Sequence, residues 1–407
     1  MLYDVCVIGG GMSGMTSAIA TSVNGSKTLL IEKNGKLGKK IYATGNGKCN
    51  LTNKNIDINL HFNSGCPNYT EFLNVLLGDN ACNEVIDFMS FLGVLTYDVN
   101  GYVYPVSNQA SSVVWALTDK LKNCCVDTLL NTEVKEIHKL DDVFHIVTDS
   151  EMYFSKKLII ACGGNSYSKL GGTESGYNLA KMFNHNIIPI RPSLCGVKTK
   201  KNISELAGIR TRCKASIKFN DNEITETGEL QFTDYGISGI MIFNLSSKIG
   251  DMLNKGTKVS VKLDFLYDIP DEHIEKLIES NAKRTILALF NGLINDKLAT
   301  YIIKANNINP KEYINNIDKS IIYRIIDELK NYSLDIVSLM DYDNAQVTAG
   351  GVDLSEIDPL TFMSLKTKDL YIVGETLDID GICGGYNITF AILSGMKAGK
   401  NCNDKNQ

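Results

Sequence analysis

The chain has 407 residues, 44% of them hydrophobic and 21% charged, with a net charge of −5. That is a soluble, globular composition of two or three domains, without the basic excess of a nucleic-acid or anionic-membrane surface. No apolar stretch approaches the ~18 residues of a spanning helix, and no basic leader precedes Leu2, so a cytoplasmic protein is expected.

Leu2–Ile8 is a continuous apolar run, the pattern of a parallel strand buried on both faces. Gly9-Gly10-Gly11-Met12-Ser13-Gly14 follows, then a helical stretch to Val23 and a strand over Lys27–Glu32. Together they form one strand–helix–strand unit of about 30 residues. In such a turn Gly9 permits the bend, Gly11 admits a pyrophosphate, and Gly14 lets the helix approach the strand. The helix start offers free N–H groups and partial positive charge. Glu32 lies 21 residues after Gly11 (32 − 11), the spacing of a carboxylate that binds a ribose hydroxyl and repels a 2′-phosphate. A dinucleotide other than NADP is therefore expected here.

Gly35–Asn53 is polar, irregular and too long for an idle loop. A helix is expected over Glu71–Leu92 and a strand around Glu133–Ile137. A hairpin of Phe144–Val147 and Met152–Phe154 feeds a strand at Leu158–Ala161, which ends in Cys162-Gly163-Gly164. Gly176–Phe183 reads as a helix. After Pro189 and Pro192 the pattern changes. Ala215–Phe219 and Val259–Phe265 alternate as antiparallel strands do. The chain is helical from Pro270 to about Leu329, with Asn309-Pro310-Lys311-Glu312 as a start signal. From about Ala345 it returns to glycine-rich strands. Leu370–Glu375 runs into Asp380-Gly381 and Gly384-Gly385-Tyr386-Asn387, with a helix start behind them. Asn401–Gln407 reads as a loose tail.

A nicotinamide dinucleotide needs only one glycine turn of this kind. A site that draws on the far end of the chain indicates a larger cofactor, FAD. No second turn of the same spacing follows a strand, since Gly171–Gly176 has the wrong spacing. NAD(P)H, as a possible transient reductant, would then dock directly over the flavin ring. The 11 cysteines are scattered, with no C-x-x-C or C-x4-C pair. This excludes zinc ribbons, thioredoxin-like motifs and an adjacent redox disulfide. His61, His138, His145, His185 and His273 have no partner spacing and read as surface or structural residues, so no metal site is expected.

Four segments occur in order: Lys39–Asn53 (KKIYATGNGKCNLTN), Gly228–Ser238 (GELQFTDYGIS), Ala345–Asp353 (AQVTAGGVD) and Leu370–Asn387 (LYIVGETLDIDGICGGYN). Together they resemble the bacterial NAD(P)/FAD-dependent oxidoreductases labelled the aminoacetone oxidase family, which includes reductases of unsaturated bile-acid ketones. The resemblance spans essentially the whole chain. It implies an α/β fold in which a Rossmann-like FAD-binding domain is interrupted by a β-barrel-like domain and a helical subdomain. The expected spans are 1–189 and 344–407 for the FAD domain, 190–268 with about 331–343 for the β-rich insertion, and 269–330 for the helices. Lys48 stands where the family has Arg, which keeps the charge and loses the guanidinium fork. Ile240 follows Gly239 where the family has Pro.

The resemblance also implies cofactor contacts. Gly45, Lys48, Cys49 and Asn50 would line the flavin and its ribityl chain. Gly374 and Glu375 would close the strand beside the pyrophosphate and ribityl region, with Asp380 as a second acid for a ribityl hydroxyl. Gly384 and Gly385 would let a helix N-terminus reach the N1/O2 edge, and Tyr386, Asn387 and Ile388 would add to that edge. Met12, Ser13, Lys33, Lys40, Val134, Ala161 and Gly163 complete the expected cofactor-binding set. Cys49 has two readings, a thiol of lowered pKa or a side chain that packs on the flavin, and packing is favoured. Tyr42 and Tyr386 are candidate proton donors, with structural packing as the alternative.

The expected function is hydride transfer through flavin N5, driven by NAD(P)H and directed at an unsaturated or carbonyl-conjugated small molecule. Two alternatives stay open: an oxidase of a small amine that forms hydrogen peroxide, and a flavin-binding sensor without turnover. Neither a nucleic acid nor a membrane is an expected partner. Substrate identity and oligomeric state are not readable.

Overall fold

The computed structural model describes residues 1–219 and 222–402, the side chains of Leu60 and His61 excepted. The expected tail lies outside the described residues from position 403 on. The chain divides into two compact units, Met1–Arg191 with the segment from Ala345 onward, and Pro192–Asn344.

The first unit is built on a seven-stranded sheet. Its parallel part has the strands Asp127–Leu129, Thr28–Ile31, Leu2–Ile8, Met152–Ile160 and Leu370–Ile372 side by side. Val5, Val7, Leu30, Ile159 and Ile160 are fully buried, each worth about 1.5–3 kcal/mol of transfer free energy. The antiparallel strands Val143–Thr148 and Val134–Leu140 complete the sheet. The expected hairpin forms, and its second arm runs without a break into the strand expected after it, as the single strand Met152–Ile160. Its first half pairs with Val143–Thr148 and its second half with Leu370–Ile372.

Helix Met12–Val23 follows the first strand, and helix Tyr386–Asn401 packs directly on it. A methyl group on Gly395 would stand 2.5 Å from the Ser13 carbonyl oxygen, and one on Gly399 would stand 2.6 Å from Ala20 Cβ. Bare glycines let the two helices touch, and so bring both ends of the sequence to one edge of the sheet. The helix expected over Glu71–Leu92 is two helices, Tyr69–Leu77 and Ala81–Phe91. Gly78, at φ 47° and ψ −160°, turns the chain between them.

The second unit is a closed six-stranded barrel. In its strand Arg210–Phe219, Cys213, Ala215 and Ile217 are buried while Arg210, Arg212 and Lys218 are exposed, the alternation that a one-sided core requires. Helices Asp271–Ser280, Ile286–Phe290, Asp296–Ala305 and Lys319–Lys330 add Ile274, Ile278, Leu298, Ile302, Ile322 and Leu329 to the barrel's core.

Asn309-Pro310-Lys311-Glu312 does not start a helix. Asn309 Oδ1 accepts from Lys311 N at 3.0 Å and its carbonyl from Glu312 N at 2.8 Å, which closes a turn. The helix begins at Lys319, with Asp318 Oδ1 accepting from Ser320 N at 2.8 Å. No helix among the described residues is long and apolar enough to cross a membrane.

Candidate active site

The parallel strands end at one edge, and the glycine turns of the first unit meet there. Gly9 N donates to Ile31 O and Ala161 N to Ile8 O, both at 2.8 Å. Methyl groups at Gly9 and Gly14 would lie 2.3 Å from Ala161 O and 1.8 Å from Gly9 O, so the chain itself fills those positions. Gly11 differs: a methyl there would meet no atom of the described residues within 4 Å. Helix Met12–Val23 starts at Gly11 with no side-chain cap and no acid in its first turn. Its N–H groups and dipole are left for an anion.

The far end of the chain repeats the device. Helix Tyr386–Asn401 starts at Gly385, again without a side-chain cap or an acid in the first turn. Asn387 spends its side chain on the preceding loop, accepting from Gly381 N and donating to Gly381 O, both at 2.8 Å. Gly374 N donates to Ser394 Oγ at 3.1 Å, and a methyl on Gly374 would lie 2.4 Å from Ser13 Oγ. The last strand is thus seated on the first helix.

Two carboxylates of the expected set are engaged with the chain. Glu32 accepts from Gly10 N at 2.7 Å and Asn34 N at 2.8 Å. Glu375 pairs with Lys40 Nζ at 2.8 Å and accepts from Thr348 N at 2.8 Å. Thr348 Oγ1 in turn accepts from Asn165 N at 2.8 Å and Ser166 N at 3.0 Å. This chain of contacts ties the loop of Lys40 to the loop that follows strand Met152–Ile160. Gly163 lies on that second loop, its N–H donating to Thr376 Oγ1 at 3.1 Å. Lys33 is half-buried, and Val134 is buried two residues after Thr132, whose N–H donates to Glu32 O at 3.1 Å.

Gly45 and Lys48 are exposed on a loop in which Gly45, Asn46, Gly47 and Cys49 all have positive φ. Asn50 is buried, and its amide nitrogen donates to Val103 O and Thr52 O at 3.1 and 3.0 Å. Cys49 is fully buried, and burial raises its thiol to about 11, the reverse of what a nucleophile needs. Tyr42 is half-buried beneath Lys36 Nζ, 3.9 Å from its ring centroid. Tyr386 is buried, with its ring edge-on to Phe62.

Sequence reasoning missed Asp378. It is 1% exposed and accepts from Ser64 Oγ at 2.9 Å and Gly65 N at 2.7 Å. Burial nevertheless lifts its carboxyl to about 6. Asp380, two residues on, is also buried and accepts from Asn63 Nδ2 at 3.3 Å. Alternating acids in Leu377-Asp378-Ile379-Asp380 were the available signal. His185 also proves to be a core residue. Its Nδ1 and Nε2 contact Glu356 Oε2 at 2.9 Å and Ser364 Oγ at 2.8 Å. The order suggests a hydrolytic triad, but Ser364 Oγ also accepts from Lys366 N and Thr367 N. It locks a buried turn and has no open face for a substrate.

Two uncapped helix starts, an open position at Gly11 and a polar lining between them suit a long, anionic dinucleotide. The HI0933-like protein Rossmann domain family matches residues 3–401. The chain belongs to that family. It is an oxidoreductase, and the family fits a flavoprotein. It is 34% identical over 97% of both chains to a 3-dehydro-bile acid delta(4,6)-reductase of Clostridium scindens. It is 27% identical to a ribosomal RNA dihydrouridine synthase of Escherichia coli, over 96% of this chain and 95% of that one. The solved structure of a 3-ketosteroid delta1-dehydrogenase from Sterolibacterium denitrificans shares the fold, with a TM-score of 0.53 and 10% identity over 99% of both chains.

Proposed function

We propose that this oxidoreductase uses FAD and NAD(P)H to reduce a carbon–carbon double bond conjugated to a carbonyl in a small molecule. The observation that carries the substrate class is the full-length similarity to the bile-acid reductase. The residues fit FAD in three places. Gly11 and the uncapped helix start behind it suit the pyrophosphate. Glu32 suits the adenosine ribose, and the N–H groups after Gly385 suit the N1/O2 edge of the ring. When bound, FAD supplies hydride transfer at N5. The protein's own work is to position the substrate, exclude water and supply the proton. The Lys40–Glu375 pair fixes the loop of Gly45–Asn50 against the glycine turn at Gly374.

The second relative favours an RNA reading of the same chemistry, because a dihydrouridine is a uracil saturated at the bond conjugated to its C4 carbonyl. The net charge of −5 favours the small molecule. Anaerobic titration of the yellow holoenzyme decides. Bleaching by NADH or NADPH, with colour restored by a 3-oxo-4,6-diene bile acid, supports the proposal. Colour restored only by a ribosomal RNA transcript supports the RNA reading. Bleaching by an amine alone, with peroxide formed in air, would make it an oxidase.

A further inference from the structure

The loop after strand Met152–Ile160 holds a residue that the motifs do not explain. Tyr167 has φ 56° and ψ 62°, a left-handed conformation that a bulky side chain rarely adopts. Strain of this kind costs on the order of 1–3 kcal/mol and persists only where neighbours impose it. Here they do. The two preceding N–H groups, Asn165 and Ser166, are fastened to Thr348 Oγ1. Tyr167 O accepts from Leu170 N at 2.8 Å and Gly172 N at 3.1 Å. The fastening runs on through Thr348 to Glu375 and Lys40, residues of the candidate cofactor site.

The strain holds up a half-buried phenol whose hydroxyl has no hydrogen-bond partner among the described residues. A buried tyrosine ordinarily spends its hydroxyl on the protein. Cys383, in the loop that leads to Gly384-Gly385, lies within electrostatic reach of the phenol. Tyr167 therefore stands in the loop at the carboxyl end of strand Met152–Ile160, within electrostatic reach of the loop that leads into the last helix. Ligands of open α/β sheets bind at that edge. Tyr42 and Tyr386 are less free to act, the first under Lys36 and the second packed on Phe62.

We propose that Tyr167 is the catalytic acid that protonates the substrate's α-carbon. The inference rests on the reduction proposed above. The hydride adds to the β-carbon with its electron pair, and the C=C π bond breaks. The π electrons take the Tyr167 hydroxyl proton to form the C–H bond at the α-carbon. The phenolate left behind regains a proton from water, which reaches this half-buried side chain. NAD(P)H supplies the electron pair that the substrate gains.

Tyr167→Phe removes the proton and keeps the ring. Tyr167→Asn also removes it and suits left-handed backbone, which guards against misfolding. Both variants should keep their flavin content; Tyr167→Phe should keep the unfolding midpoint, and Tyr167→Asn should match or raise it as the strain is relieved. A saturated 3-oxo bile acid should still perturb the flavin spectrum, at concentrations within about threefold of wild type. Re-oxidation of the bleached variants by the 3-oxo-4,6-diene acid should slow about 100-fold or more, while bleaching by NAD(P)H stays near the wild-type rate. Variants re-oxidised as fast as wild type would overturn the assignment of Tyr167 alone. A wild-type protein that no enone re-oxidises would overturn the reduction reading, and this inference with it.

Discussion

At the turn that opens the chain, a methyl on Gly14 would sit 1.8 Å from Gly9 O, while one on Gly11 would meet nothing of the described protein within 4 Å. At the turn before the last helix, a methyl on Gly385 would lie 2.7–2.8 Å from the Thr52 backbone, and one on Gly384 would lie 2.8 Å from the Tyr102 ring. The two regions share a composition and a place at the end of a strand. They divide the work differently. The first turn spends its outer glycines on packing and keeps the middle one for a ligand. The second spends its glycines on seating its own loop, so only backbone N–H groups remain to meet a cofactor. A glycine in a motif is thus evidence of a binding site only where the protein itself leaves its side open.

This contrast is open to attack by substitution. The largest effect is expected from Gly14→Ala, where the added carbon must displace backbone. It should cost about 3 kcal/mol or more in denaturant unfolding or prevent folding, and a stable variant would mean that the helix does not press on the turn. Asp378→Asn acts in the second region and in the opposite direction. Burial raises this carboxyl from an ordinary value near 3.8 to about 6, so the folded chain holds a proton that the unfolded chain has released. Its contribution to stability is therefore greatest below pH ~4 and is lost as pH rises through ~6, a change of about 3 kcal/mol. The amide should remove that slope, and unfolding curves at pH 4 and 8 would show the variant more stable than wild type at pH 8 only. Gly385→Ala comes next. It must place a Cβ against Thr52 with φ at 95°, at a cost of about 2 kcal/mol. A neutral result would mean that the second turn, like Gly11, faces open space.

The parts of the fold set by local pattern were legible. A continuous apolar strand, a glycine turn and Glu32 identify a Rossmann unit, because buried parallel strands and helix starts leave local marks. Local marks also misled. Asn309-Pro310-Lys311-Glu312 has the residues of a helix start, but an isolated antiparallel bridge between Tyr313 and Thr285 draws the chain into a turn. Glu71–Leu92 keeps its helical pattern across a break at Gly78. The site's polar contacts were least legible. Thr348 matters because it fastens the loop of Tyr167 and meets Glu375, and Asp378 because Ser64 and Gly65, over 300 residues earlier, close on it. Such partners share no spacing in the sequence.

Gly11→Ala is the smallest change to the fold and the most direct test of the account. The methyl enters open space, so the cofactor-free protein should unfold within about 0.5 kcal/mol of wild type. The absorption spectrum of the desalted variant is the deciding measurement. A folded, colourless protein beside a yellow wild type is the expected result. A folded variant that keeps its full flavin bands would contradict it, and would place the cofactor's phosphates elsewhere than at the first glycine turn.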